Sequence, residues 1–276
     1  MAAAPVIAGT AAAEHLEAAH PGRAVLALLV ALFLQIGVNY ANDYSDGVRG
    51  TDDNRVGPLR LTGSGAAAAS RVKAAAFLCF GLAAVAGAVL VVVSQQWWFV
   101  AVGVAAVFAA WGYTGGSKPY GYLGLGDVFV FVFFGLVATL GTTVTQAGRL
   151  GLDAWVMAVS TGLFACALLM ANNVRDIPGD REAGKKTLAV RLGDTRARLA
   201  FVTEISVAMI LPLLLVPHNP WVLLVYAVTP LAVAASVTVL RAEERRALIP
   251  VLKQCGFVNL GFTVLYALAV LVHLHV

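Results

Sequence analysis

Eight stretches of this chain are apolar without interruption for about the length of a bilayer core. They run at roughly 24–41, 74–94, 97–114, 128–147, 154–171, 199–217, 221–240 and 256–272. A helix needs about 20 such residues to cross the hydrocarbon, with a range near 17–25. The runs are continuous rather than alternating, which selects helices over barrel strands. Their Gly and Ala content suits close helix packing in lipid. Charged residues make up 12% of the chain and apolar ones 60%. A soluble surface of this size needs about twice that charge. The expected fold is therefore all-α: a polytopic membrane helix bundle of eight full transmembrane helices, forming a single domain over residues 1–276 within the lipid bilayer.

The loops sort by charge. If the helices alternate, segments 45–73, 115–127, 173–198 and 241–253 share one side, and they hold 17 of the 19 Lys and Arg. The positive-inside rule makes that side cytoplasmic. No Lys/Arg-rich run is interleaved with aromatics, so nucleic acid is set aside as a partner. Cys79, Cys166 and Cys255 lie in or beside apolar runs, form no CxxC pair, and read as small core residues. All five histidines fall on the outer side and read as surface residues. Residues 1–13 are apolar but too short to span and lack a basic signal-peptide start. They read either as an interfacial segment or as the back half of a further, truncated first helix.

Two polar patches end apolar runs on the cytoplasmic side. In the first, Gln35, Asn39, Asn42 and Asp46 are spaced 4, 3 and 4 and share one helix face. Such a stripe should face the bundle interior or a wet cavity. Asp43 lies off that stripe, and Asp52, after Gly50, can fold back onto it. In the second, Asn172, Asp176 and Asp180 are spaced 4 and 4, beside Arg175, Arg181, Lys185 and Lys186. Pro178 and Gly179 predict that this helix bends or ends there. Carboxylates and amides are hard oxygen ligands suited to Mg²⁺, which is usually held by a few carboxylates plus substrate phosphates. The nearby cations can bind phosphate oxygens. Together the patches have the composition of a diphosphate site inside a membrane bundle, with Arg60 a further candidate phosphate ligand. A third loop on that side, 113–127, carries Lys118, five glycines, and Tyr113, Tyr120 and Tyr122, which can border an aromatic substrate. Asp127 opens the next helix and is either a pocket residue or an N-terminal charge. Glu204, inside a span, is assigned no role.

NDYSDGVRGTD and NNVRDIPGDREAGKKTLAVRLG resemble the two Asp-rich signatures of the UbiA-type membrane prenyltransferases. YTGGSKPYGYLGLGD is similar to the menaquinone branch, the 1,4-dihydroxy-2-naphthoate polyprenyltransferases. The resemblance runs from about residue 4 to the C-terminus. It implies nine helices around a central cavity open to the cytoplasmic side, in a bacterial inner membrane, with this chain starting inside the first helix. It implies Asn42, Asp46, Asp52, Asp176 and Asp180 as the metal–diphosphate group, with Lys118 and Arg175 as phosphate contacts. Asp46, Asp176, Lys118 and Arg175 would serve catalysis, and Asn39, Arg60, Tyr120, Asp127 and Lys185 would bind substrate. The first motif departs from the NDxxDxxxD of many relatives: Gly50 stands four residues after Asp46, and the next acid is Asp52, a shift the menaquinone branch shares. The implied partners are a polyprenyl diphosphate and 1,4-dihydroxy-2-naphthoate, and the implied cofactor is Mg²⁺. Other aromatic acceptors (4-hydroxybenzoate, homogentisate, haem) remain alternatives within the family. A divalent-ion carrier is the alternative outside it.

Overall fold

A computed structural model describes residues 1–51, 59–116 and 119–276. Every described element is helical, and no strand occurs among the described residues. The helices are α1 (Ala3–His15), α2 (Pro21–Val48), α3 (Ala69–Ser94), α4 (Phe99–Gly112), α5 (Gly126–Ala147), α6 (Leu152–Glu182), the short α7 (Leu188–Leu192), α8 (Asp194–Leu215), α9 (Pro220–Arg241) and α10 (Arg245–His275). All but α1, α4 and α7 are long and apolar enough to cross a membrane, which makes seven. The run at 97–114, expected as an eighth full span, yields only the 14 residues of α4, about 21 Å of helix. Trp97 and Trp98 precede it, and Gly115 and Gly116 follow its end.

Lipid offers no hydrogen bonds, so every polar group within it must find a partner inside the protein. Large side chains such as Leu78, Val85, Phe108 and Leu214 point outward, while alanines, small residues and a few aromatics fill the interior. Helix α6 is the central post, packing against α1, α5, α7, α8 and α10. It approaches α5 tightly where the middle of that helix (Phe131–Val137) winds as a π-helix. A Cβ on Gly135 would stand 2.5 Å from the Cα of Gly162, so only glycine fits there.

Helix α1 is buried on α5, α6 and α10 rather than lying at an interface. Thr143 donates to the Gly9 carbonyl at 2.9 Å and Gln146 Nε2 to Thr10 Oγ1 at 3.1 Å. At the same end of the bundle, Arg23 donates to the carbonyls of Thr145 and Val93, capping α5 and α3. His15 is not a bare surface residue there. Its Nδ1 lies 2.7 Å from an Asp153 oxygen that also accepts from the buried Tyr266.

Replacing Gly135 by Val should force α5 and α6 apart. Overpacking of this kind costs about 1–3 kcal/mol, and a lower thermal midpoint of the detergent-solubilised protein would register it. An unchanged midpoint would mean the two helices do not meet there.

Candidate active site

Helix α6 does not stop at Pro178; it continues to Glu182. The proline has no N–H to give the carbonyl four residues back, that of Val174. Arg245, from the start of α10, donates its Nη1 to that carbonyl at 2.9 Å and also pairs with Asp194. A borrowed donor thus carries the helix through the proline, and Asn172, Asp176 and Asp180 keep one face. Arg175 is fully buried and forks onto both oxygens of Asp176 at 2.7 Å, with a third bond of 2.7 Å to Asn172 Oδ1. Its Nη1 is buried with no hydrogen-bond partner among the described residues.

Beyond Glu182 the chain turns back. Lys185 N bonds the Asp180 carbonyl at 2.7 Å, and Thr187 Oγ1 donates to Asp180 Oδ2 at 3.4 Å. This places the Lys185 ammonium 3.2 Å from Asp46 Oδ1, at the end of α2. Tyr122 donates to the same oxygen at 2.6 Å, and the ammonium sits over its ring, 4.7 Å from the centroid. Burial opposes the Lys185 charge, but attraction to Asp46, Tyr122 and Asp180 outweighs it and holds the ammonium above its usual range. Burial first, then the charge and hydrogen bond of Asp46, push the Tyr122 phenol up. Carboxylates from both acidic motifs therefore surround one positive charge.

The tyrosine–glycine loop closes over this junction. Lys186 N bonds the Tyr122 carbonyl at 2.9 Å, and Arg191 donates to the carbonyls of Leu123 and Lys186. Gly124 has a φ of 77°, and a Cβ there would meet Lys186 O at 2.9 Å and Arg191 Nε at 2.8 Å. Thr114 donates to Asn42 Oδ1 at 2.8 Å, and Arg49 donates to the carbonyls of Thr114 and Gly116 while facing the Tyr122 ring. Tyr120 spends its hydroxyl on the Ala109 carbonyl at 2.7 Å and stacks on Phe129 at 3.9 Å. Tyr113 is buried, and burial first, then the charges of Asp127, Tyr120, Asp46 and Asp180, raise its phenol.

The expected residues thus divide. Asn42, Asp46, Asp180 and Lys185 come together, and Asp176 is locked beside them by Arg175. Asp43 turns instead to a structural task, accepting from Leu61 N and Thr62 N at 2.8 Å each. Asn39 lies exposed one turn up α2, Arg60 is half-buried after it, and Asp127 is buried at the start of α5. Asp52 and Lys118 lie outside the described residues. Thr114 and Arg49 were not singled out as site residues, and Tyr122 was expected only as a border for an aromatic substrate, not as a donor to Asp46. The loop's density of tyrosine and glycine was the signal near Thr114, and Arg49 had none. Glu204, given no role, has its Oε2 buried with no hydrogen-bond partner among the described residues.

The donor set suits a magnesium–diphosphate head. Asp46 puts both of its described bonds on Oδ1, leaving Oδ2 to accept from something else. Asp180 lies within electrostatic reach of the same ammonium, and Asn42 adds an amide. No three His, Cys, Asp or Glu side chains form a ready-made metal cage among the described residues. Mg²⁺ does not require one, since it takes one or two carboxylates and completes its shell with substrate phosphates and water.

Residues 2–271 match the UbiA prenyltransferase family. The chain belongs to that family. It is 51% identical over 267 residues to 1,4-dihydroxy-2-naphthoate octaprenyltransferase of Mycobacterium tuberculosis (strain ATCC 25618 / H37Rv), covering 97% of this chain and 90% of that one. It is 38% identical to the Escherichia coli (strain K12) protein of the same name, covering 92% and 85%. Among solved structures, a UbiA homologue from Archaeoglobus fulgidus bound to GPP and Mg²⁺ superposes with a TM-score of 0.65 at 16% identity, covering 98% and 96%. The apo UbiA homologue from Aeropyrum pernix K1 gives 0.67 at 14%, covering 99% and 98%. The all-α bundle of a polytopic membrane protein is thus the fold of this family.

Arg245→Met should leave the Val174 carbonyl bare, which costs about 1–3 kcal/mol. Adding Pro178→Ala restores a backbone donor to that carbonyl and should recover part of the loss. Thermal midpoints of the two single variants and the double variant test this, and strictly additive effects would refute the borrowed-donor account.

Proposed function

We propose that this protein transfers a polyprenyl group from a polyprenyl diphosphate to 1,4-dihydroxy-2-naphthoate. CO₂ and diphosphate leave, and the product is the quinol form of demethylmenaquinone, which a separate oxidation converts to the quinone. One observation carries the reading: the loop that resembles the menaquinone branch supplies Tyr122 to Asp46, at the point where both acidic motifs meet Lys185. Relatives named for this reaction, up to 51% identical over nearly the whole chain, support it. The charged end of the bundle, with this site, faces the cytoplasm of a bacterial inner membrane.

The prenyl tail lies in the apolar interior of the bundle, in a cavity open toward that charged end. Its diphosphate meets the two motifs. Lys185 and the free Nη1 of Arg175 bind diphosphate oxygens and stabilise the charge that grows as the C–O bond breaks. Mg²⁺, held by Asn42, Asp46, Asp176 and Asp180, would supply Lewis-acid neutralisation of the same charge. Asp52 and Lys118 join this group through the resemblance of their motifs, and Arg60 through its cationic side chain. Asn39 borders the substrate on the face of α2 that carries Asp46. The aromatic wall of Tyr113, Tyr120 and Phe129 keeps water from the allylic cation, which the electron-rich naphthoate ring attacks. Loss of the ring carboxylate as CO₂ then restores aromaticity.

Purified protein in detergent, given dihydroxynaphthoate, a prenyl diphosphate and Mg²⁺, should form demethylmenaquinol, read as demethylmenaquinone after oxidation in air, and chelation with EDTA should stop it. Asp46→Asn and Asp176→Asn should lose most activity. Tyr122→Phe, which removes only the donor to Asp46, should lose about 10–100-fold. A folded wild type that prenylates a different aromatic acceptor and not this one would replace the acceptor.

A further inference from the structure

Where α8 begins and α9 ends, the two spans leave a cavity of about 410 Å³ on the charged side of the bundle. Arg198, Arg241 and Arg245 wall it, together with Asp194 and Glu243. It shares no residue with the junction at Asp46. Asp194 is already taken: Arg198 Nε donates to one of its oxygens at 2.7 Å, and Arg245 pairs with the other. Arg198 is about nine-tenths buried and also donates its Nη1 across to the Val239 carbonyl of α9. Arg245 Nη1 reaches the Val174 carbonyl as well. The Nη2 groups of Arg198 and Arg245 have no hydrogen bond among the described residues, and neither has the exposed Arg241 side chain.

The rim of the cavity has the opposite character. Leu199 and Leu240 line it and are 54% and 46% exposed. Further into the spans, Val207 and Ile210 on α8 and Val233 and Val237 on α9 are exposed too, so apolar surface continues from the cavity along both helices. An unspent guanidinium fork calls for an oxyanion. Leucines on a rim that faces lipid call for a ligand whose other end is hydrocarbon. Free phosphate meets the first demand only. A prenyl diphosphate would set several negative charges against the carboxylates of Asp194 and Glu243. Three guanidiniums against two carboxylates leave a single net positive charge, which matches one phosphodiester. A headgroup with its own ammonium would add a further cation among the arginines. We propose that this cavity binds the phosphate of an anionic phospholipid, whose acyl chains lie along α8 and α9. The site is independent of which aromatic acceptor is prenylated. It backs onto the proline segment of α6, because Arg245 belongs to both.

Native mass spectrometry of the full chain in detergent would follow binding, with EDTA present. The probes are phosphatidylglycerol, phosphatidylcholine, inorganic phosphate and geranyl diphosphate. Wild type, Arg241→Gln and Arg246→Gln are compared. Arg246 is exposed on the same loop but does not line the cavity, so it controls for the general attraction of a basic surface to anionic lipid. Both side chains are exposed, so neither exchange endangers folding. Wild type should retain phosphatidylglycerol in preference to phosphatidylcholine. Arg241→Gln should weaken phosphatidylglycerol binding about fivefold, the effect of one cation at a membrane surface, and Arg246→Gln by less than about twofold. Phosphatidylcholine held as tightly by wild type, or a loss in Arg241→Gln no larger than that in Arg246→Gln, would overturn the proposal. So would displacement of the lipid by inorganic phosphate, which would make the cavity a free-anion site. Displacement by geranyl diphosphate would make it a substrate site and overturn the proposal equally.

Discussion

A single oxygen, Oδ1 of Asp46, accepts from Tyr122 and from Lys185, two residues far apart in the chain. At that atom the end of α2, the loop before α5 and the turn after α6 all meet, and the bonds to backbone carbonyls between the loop and its two neighbours hold the junction closed. The bond works because its surroundings are buried. In water a Lys–Asp pair of this kind contributes little, since solvent screens it and the side chains lose freedom to form it. Here both partners are about nine-tenths buried, so the charges have few alternatives to each other. Bringing a diphosphate to such a place then exchanges one set of charge partners for another rather than stripping water from a bare anion.

The spans were legible because lipid imposes a length and a composition that a sequence cannot disguise. The charged side followed from where Lys and Arg fall, and the contacts among helix ends agree with that alternation. Asn42, Asp46 and Asp180 were legible for a related reason, since polar residues at helical spacing on an apolar helix have few uses. Thr114 and Arg49 were not, and Tyr122 was legible only as a border for an aromatic substrate, not as a donor to Asp46. Their partners are far away in the chain or are backbone carbonyls, and neither leaves a spacing signal. Asp43 shows the converse, an acid in a signature motif whose carboxylate is consumed by two backbone amides of the following loop.

Pro178 marks the limit of local reasoning. A proline inside a helix removes one donor, and residue preferences rightly predict a break. The helix persists because the missing donor arrives from another element, which only the folded arrangement supplies. Glu204 is a second case. From sequence, an acid inside a span suggests an interface or a partner, and no described residue bonds its buried Oε2.

Arg245 lies 71 residues beyond the carbonyl it satisfies and begins the last helix of the chain. When the segment around Pro178 leaves the ribosome, that carbonyl has no protein donor. The final turns of α6, which carry Asp180 and lead to Lys185, are therefore completed only after α10 has been made and inserted. The earlier spans can settle in the membrane before then, but the charged end of the bundle, where both acidic motifs meet, is a product of late assembly. A chain interrupted before its last span would keep most of its membrane segments and lack a finished site.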